Sequence, residues 1–148
     1  MRVLYISDSL GTPIHPRGIF NYSVSLVEIL KAGGASIGGI ARATAGKLVV
    51  NVTVRSAPWI EVKRVTLLRA SGEKLEKLVT QQPSATGALV ATAQFDLAVK
   101  ADDAFIVTAS GDKTLEPVLA GDAADIRPYA LAGAIWIDAD ADGKSLAR

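Results

Sequence analysis

A two-residue hydrophobic period constrains this chain more than any other feature. From Lys47 to Arg55, Leu48, Val50, Val52 and Val54 alternate with Asn51, Thr53 and Arg55. Successive strand side chains point to opposite faces, so this run reads as a half-buried antiparallel strand. Leu89 to Lys100 alternates in the same way and directs Ala91, Ala93, Phe95, Leu97 and Val99 inward. Between them, Ile60 to Arg69 reads as a strand whose phase slips at Lys63-Arg64, which predicts a β-bulge. Lys74 to Thr80 is a weaker strand that a helix reading rivals. Ala104 to Ser110 is apolar on both faces, as a central strand is. Leu115 to Leu119 suits a short edge strand, because Pro117 cannot donate to a ladder. Leu131 to Asp138 is the last strand. Turn signals such as Ser56-Ala57-Pro58, Ser71-Gly72-Glu73 and Ala101-Asp102-Asp103 separate these runs. About six or seven short strands spaced in this manner predict a mainly β chain, an immunoglobulin-like antiparallel β-sandwich.

Residues 1–34 follow a different pattern and predict a separate βα segment, with the sandwich domain over 35–148. Arg2 to Ser7 is a short apolar run, as expected of a buried parallel strand, and Asp8 to Gly18 is rich in turn residues. Ile19 to Ala32 then reads as a helix. Phe20, Val24, Val27 and Ile19, Leu26, Leu30 form its apolar stripe, and Gly33-Gly34 its stop. A lone βα unit cannot bury such a stripe. The segment is expected to dock its helix on a sheet, to add RVLYIS to a sheet edge, or to drive self-association.

Composition removes most chemistries. The absence of cysteine excludes disulfides, thiolate zinc sites and a cysteine nucleophile, and the single His15 excludes sites with several His ligands. A net charge of +1 is not that of a nucleic-acid binder. Lys63, Arg64 and Arg69 form a scattered basic face and no stripe. No apolar run of membrane-spanning length occurs, and the start MRVLYISDSLG has neither the basic nor the long apolar region of a secretory signal. A cytoplasmic location is the default expectation, with no nucleic-acid or membrane partner.

The strongest chemical motif is Asp138-Ala139-Asp140-Ala141-Asp142-Gly143-Lys144. Carboxylates at alternate positions followed by glycine match the first half of an EF-hand loop, where they converge on calcium. The twelfth loop position, a bidentate Glu, would fall at residue 149, beyond Arg148, and the segment before the motif reads as strand. Two readings stay open: a weak calcium site at Asp138, Asp140 and Asp142, or a solvated acidic turn capping the last strand. His15, Arg17 and Gly18 form a weaker candidate. A lone His serves as base or phosphate contact, and an Arg beside a helix-opening Gly favours anions. Each is also an ordinary turn residue. Ser7, Asp8 and Ser9 with His15 lack a nucleophile elbow and do not make a hydrolytic set. Trp59 and Trp136 are packing residues or stacking platforms.

Two stretches resemble known families. MRVLYISDSLGTPIHPRGIFNYSVSLVEILKAGG resembles the N-terminal βα unit of retaining GT-B glycosyltransferases. That resemblance places Gly11, His15, Arg17 and Gly18 at an interdomain cleft. Residues from about 35 to 148 resemble the C-terminal all-β domain of PHP-like metallohydrolases of the CehA/McbA type. The matching segments are ASIGGIARATAGKLVVNVTVRSAPWIEVKRVTLLRASGE, FDLAVKADDAFIVTASGDKTLEPVL and AGAIWIDADADGK. In such enzymes this tail follows a catalytic domain whose metal site uses several His residues, and here there is one His. The resemblance therefore implies a non-catalytic accessory or interaction module, partnered by a catalytic domain or by a second copy. The alternatives are a hydrolase or glycosyltransferase fragment with residual ligand binding, and a calcium-stabilised structural module.

Overall fold

A computed structural model describes residues 4–5, 25–32, 35–116 and 125–144. These contain eleven strands and no helix. In chain order they are β1 (Leu4–Tyr5), β2 (Ser25–Ala32), β3 (Ile40–Arg42), β4 (Lys47–Ser56), β5 (Arg64–Arg69), β6 (Lys74–Leu78), β7 (Gln82–Pro83), β8 (Leu89–Ala98), β9 (Asp103–Ser110), β10 (Tyr129–Leu131) and β11 (Ile135–Asp138). One sheet runs β1-β2-β4-β8-β7, and the other runs β3-β11-β9-β5-β6 with β10 also on β9. The chain changes sheet between β2 and β3, between β3 and β4, between β4 and β5, between β6 and β7, and again between β8 and β9. Such crossings between two packed antiparallel sheets make an immunoglobulin-like sandwich.

The alternating runs carry the core. Leu48, Val50, Val52 and Val54 of β4, with Phe95 and Leu97 of β8, pack in one buried cluster with Val65, Leu67, Phe105, Val107, Ile135 and Ile137 of the opposite sheet. Each such side chain contributes about 1.5–3 kcal/mol when taken from water. β9 lies between β5 on one side and β10 and β11 on the other, the central position expected of a strand apolar on both faces. At the rim, the Lys77 ammonium sits 5.6 Å from the ring centroid of Phe95 and covers that edge of the core.

Several local expectations are corrected. Ile60 and Val62 are buried, but the strand begins only at Arg64, because Ala57 to Ile60 closes a turn through the Ile60 N–H on the Ala57 carbonyl at 3.0 Å. The phase slip itself has a structural basis. Lys63 N–H donates to the carbonyl of Ser110 at 2.9 Å, and Ser110 is also the residue paired with Arg64. Two residues thus face one, as in a bulge. The last strand is two strands. β10 and β11 pair with β9 in registers that differ by one residue, and Ala132 to Ala134 absorb the difference. Gln82–Pro83 is a two-residue edge strand on β8, where the missing N–H of Pro83 is harmless. Leu115 and Glu116 are not in a strand, and 117–119 lie outside the described residues.

The larger corrections concern the N-terminal part and one strand pair. The portion of the expected helix that is described, Ser25–Ala32, is a strand antiparallel to β4 over Val27↔Arg55 to Ala32↔Val50. β4 would otherwise present a row of unpaired amides and carbonyls, and a helix cannot satisfy them. Local periodicity yields to that demand. Leu4–Tyr5 is likewise antiparallel to β2, not parallel. Residues 6–24 lie outside the described residues. β3 runs parallel to β11 at the edge of the second sheet, an exception to an all-antiparallel sandwich.

Candidate functional site

The last strand delivers an acid into the interior. Ile135 and Ile137 of β11 face the core, and the following Asp138 has a fully buried side chain, at 0% exposure. Its backbone carbonyl accepts the Ala43 N–H at 3.0 Å, continuing the parallel ladder beyond β3. The chain then turns through Ala141 and Gly143, both left-handed at φ 63° and 84°. This turn brings the Gly143 N–H to Asp138 Oδ2 at 3.0 Å. The exposed Arg42 holds Nε 3.8 Å from the same oxygen. Among the described residues, Asp138 Oδ1 has no hydrogen-bond partner. A buried carboxylate oxygen in that condition costs several kcal/mol unless a cation or donor meets it.

Two further carboxylates surround it. Asp102, on the turn between β8 and β9, accepts the Ala139 N–H at 2.9 Å. Asp140, on the loop after β11, accepts the Asp142 N–H at 3.2 Å. One oxygen from each of Asp102, Asp138 and Asp140 lies within 4.8 Å of the others. Oxygens bound to a common ion at 2.3–2.6 Å are separated by no more than about 5 Å, so this group is of the size that encircles one cation. Asp142 is not in the group. It accepts the Lys144 N–H at 2.7 Å and keeps Nζ of Lys144 at 3.9 Å. The sequence motif therefore supplies two of the three acids that converge. Asp102 went unread because it lies 36 residues earlier in a segment that reads only as a turn. His15, Arg17 and Gly18, with Gly11, lie outside the described residues.

The neighbouring Asp103 serves a different purpose. Arg69 Nε donates to it at 2.7 Å, Ser71 Oγ at 2.8 Å and the Ala104 N–H at 2.8 Å. Burial pushes the Asp103 carboxyl up, but the Ala104 amide, Ser71 and Arg69 outweigh it and hold it below the ordinary value. Arg69 also contacts Glu73 and the Ala98 carbonyl. These groups line a shallow depression at this end of the sandwich, but they are committed to one another and form a structural tie between β5 and β9.

A second surface lies on the outer side of the second sheet. Cross-strand pairing places Ile40 beside Trp136, Trp136 beside Ala104, Leu131 beside Thr108 and Tyr129 beside Ser110. Ile40, Trp136, Leu131 and Tyr129 are 43%, 37%, 42% and 53% exposed on this common face. Trp136 is thus a sheet-surface residue, while Trp59 stands exposed on the Ala57–Ile60 turn. Lys63 and Arg64 are ion-paired with Asp112.

No protein-family model matches the chain, and no curated protein matches it. Among the described residues, no helix is long and apolar enough to cross a membrane.

Proposed function

We propose that the chain is a non-catalytic β-sandwich module that packs on another folded protein through the outer face of its second sheet. The observation that carries this reading is the row of exposed apolar side chains, Ile40, Trp136, Leu131 and Tyr129, on one face of adjoining strands. Contiguous apolar surface with aromatic residues at its centre is characteristic of protein interfaces. A mean hydropathy of +0.29 is in keeping with apolar area reserved for a partner. The resemblance of 35–148 to the tail of PHP-like metallohydrolases makes a hydrolase catalytic domain the partner of choice, and in its absence a second copy takes the same face.

Sedimentation of the chain over a range of concentrations tests this reading. The wild-type chain is expected to self-associate reversibly, and Trp136→Arg and Leu131→Lys are expected to be monomers with an unchanged melting temperature. A wild-type chain that stays monomeric at high concentration, or variants that associate as the wild type does, would contradict it.

A further inference from the structure

We propose that Asp102, Asp138 and Asp140 bind a calcium ion that ties the β8–β9 turn to the end of β11. Two independent observations converge on this site. The first is the gathering of three carboxylate oxygens within 4.8 Å of one another, from segments far apart in the sequence. The second is Asp138, whose side chain is fully buried and whose Oδ1 has no partner among the described residues. Each close pair of negative charges raises the energy of the group, the more so near the low-dielectric interior. Among the described residues, the positive group paired with Asp138 is Arg42, whose Nε lies 3.8 Å from Oδ2 and whose own side chain is 67% exposed. A solvated monovalent group beside Oδ2 leaves Oδ1 unanswered, whereas a divalent ion held by the three acids supplies the charge that the buried carboxylate lacks.

The donors identify the ion. Carboxylate oxygens without nitrogen or sulfur select hard cations over zinc or copper. Calcium accepts irregular coordination and completes its shell with water and backbone carbonyls, while magnesium demands a near-ideal octahedron at shorter distances. A site built from a buried strand end, a loop and a distant turn has the irregular geometry that calcium tolerates. The turn at Ala141 and Gly143 holds Asp140 beside Asp138, and the Ala139 N–H anchors Asp102 against the same loop.

The test uses the full chain, freed of metal with a chelator, and calcium chloride as the probe. Calorimetric titration is expected to give one site per chain, and saturating calcium to raise the melting temperature by about 5–10 °C. Asp138→Asn and Asp102→Asn should each weaken calcium binding by about tenfold or more, and Asp142→Asn should bind as the wild type does. Two substitutions on different segments keep the test decisive if one of them impairs folding. A titration that shows neither heat nor a thermal shift at about 10 mM calcium, well above the needs of the weakest natural modules, would overturn the site. Undiminished binding in both Asp138→Asn and Asp102→Asn would overturn the ligand assignment, as would loss in Asp142→Asn alone. A response to magnesium equal to that of calcium would overturn the choice of ion. The sedimentation behaviour of the outer-face variants is a separate readout, so this site and the docking face fail or stand independently.

Discussion

Asp103 and Asp138 are both buried acids at one end of the sandwich, and their surroundings give them opposite consequences. Asp103 is answered by Arg69, Ser71 and a backbone amide. Among the described residues, Asp138 has one oxygen answered and one not. Because the Asp103 carboxyl is held below its ordinary value, its contribution to stability is present above the unfolded value, near about 3.9, and is lost as pH falls through the folded value. Arg69→Met removes the partner and leaves a buried charge, at a cost of about 3–5 kcal/mol near neutral pH. With chelator present throughout, the gap in melting temperature between the wild type and Arg69→Met should therefore narrow as pH is lowered from about 6 to about 2.5. A gap that stays constant over that range would show that the pair contributes nothing through ionisation.

At the scale of elements, the turn that leads from β3 into β4 carries a local strain that invites repair. Thr44 and Lys47 bridge across two residues, Ala45 and Gly46, both left-handed at φ 52° and 69°. That is the conformation of a type I′ turn, for which Asn-Gly is the preferred pair. Ala45→Asn is expected to raise stability by about 0.5–1 kcal/mol, and unchanged or lower stability in denaturant titration would contradict the turn assignment. The same scale shows what the sequence discloses. Strands buried on one face, such as Lys47–Ser56 and Leu89–Ala98, were legible because their alternation records the burial itself. The bulge at Lys63 was legible for the same reason. Ser25–Ala32 was not, because its apolar residues fit a helical stripe while its pairing depends on the open edge of β4, far along the chain. The parallel β3–β11 pair was equally hidden, since three residues carry no readable period. At the site, Asp138 and Asp140 were visible as a motif, whereas Asp102 joins them only through the β8–β9 turn.

For the whole molecule, the two candidate surfaces meet along β11. Trp136 contributes to the outer apolar face, and Asp138, two residues on, is the buried centre of the acidic group. β3 is shared as well, with Ile40 on the apolar face and Arg42 beside Asp138. A cation at the end of β11 would thus stiffen the strand pair that borders the docking face. The most direct measurement is a calcium titration of the isotopically labelled full chain followed through its backbone amides by NMR. Shifts are predicted to concentrate at Asp102, Ala139, Asp140 and Gly143, with smaller changes along β11 and β3. Shifts absent from these residues, or spread over exposed acids such as Glu73 and Asp96, would contradict the account.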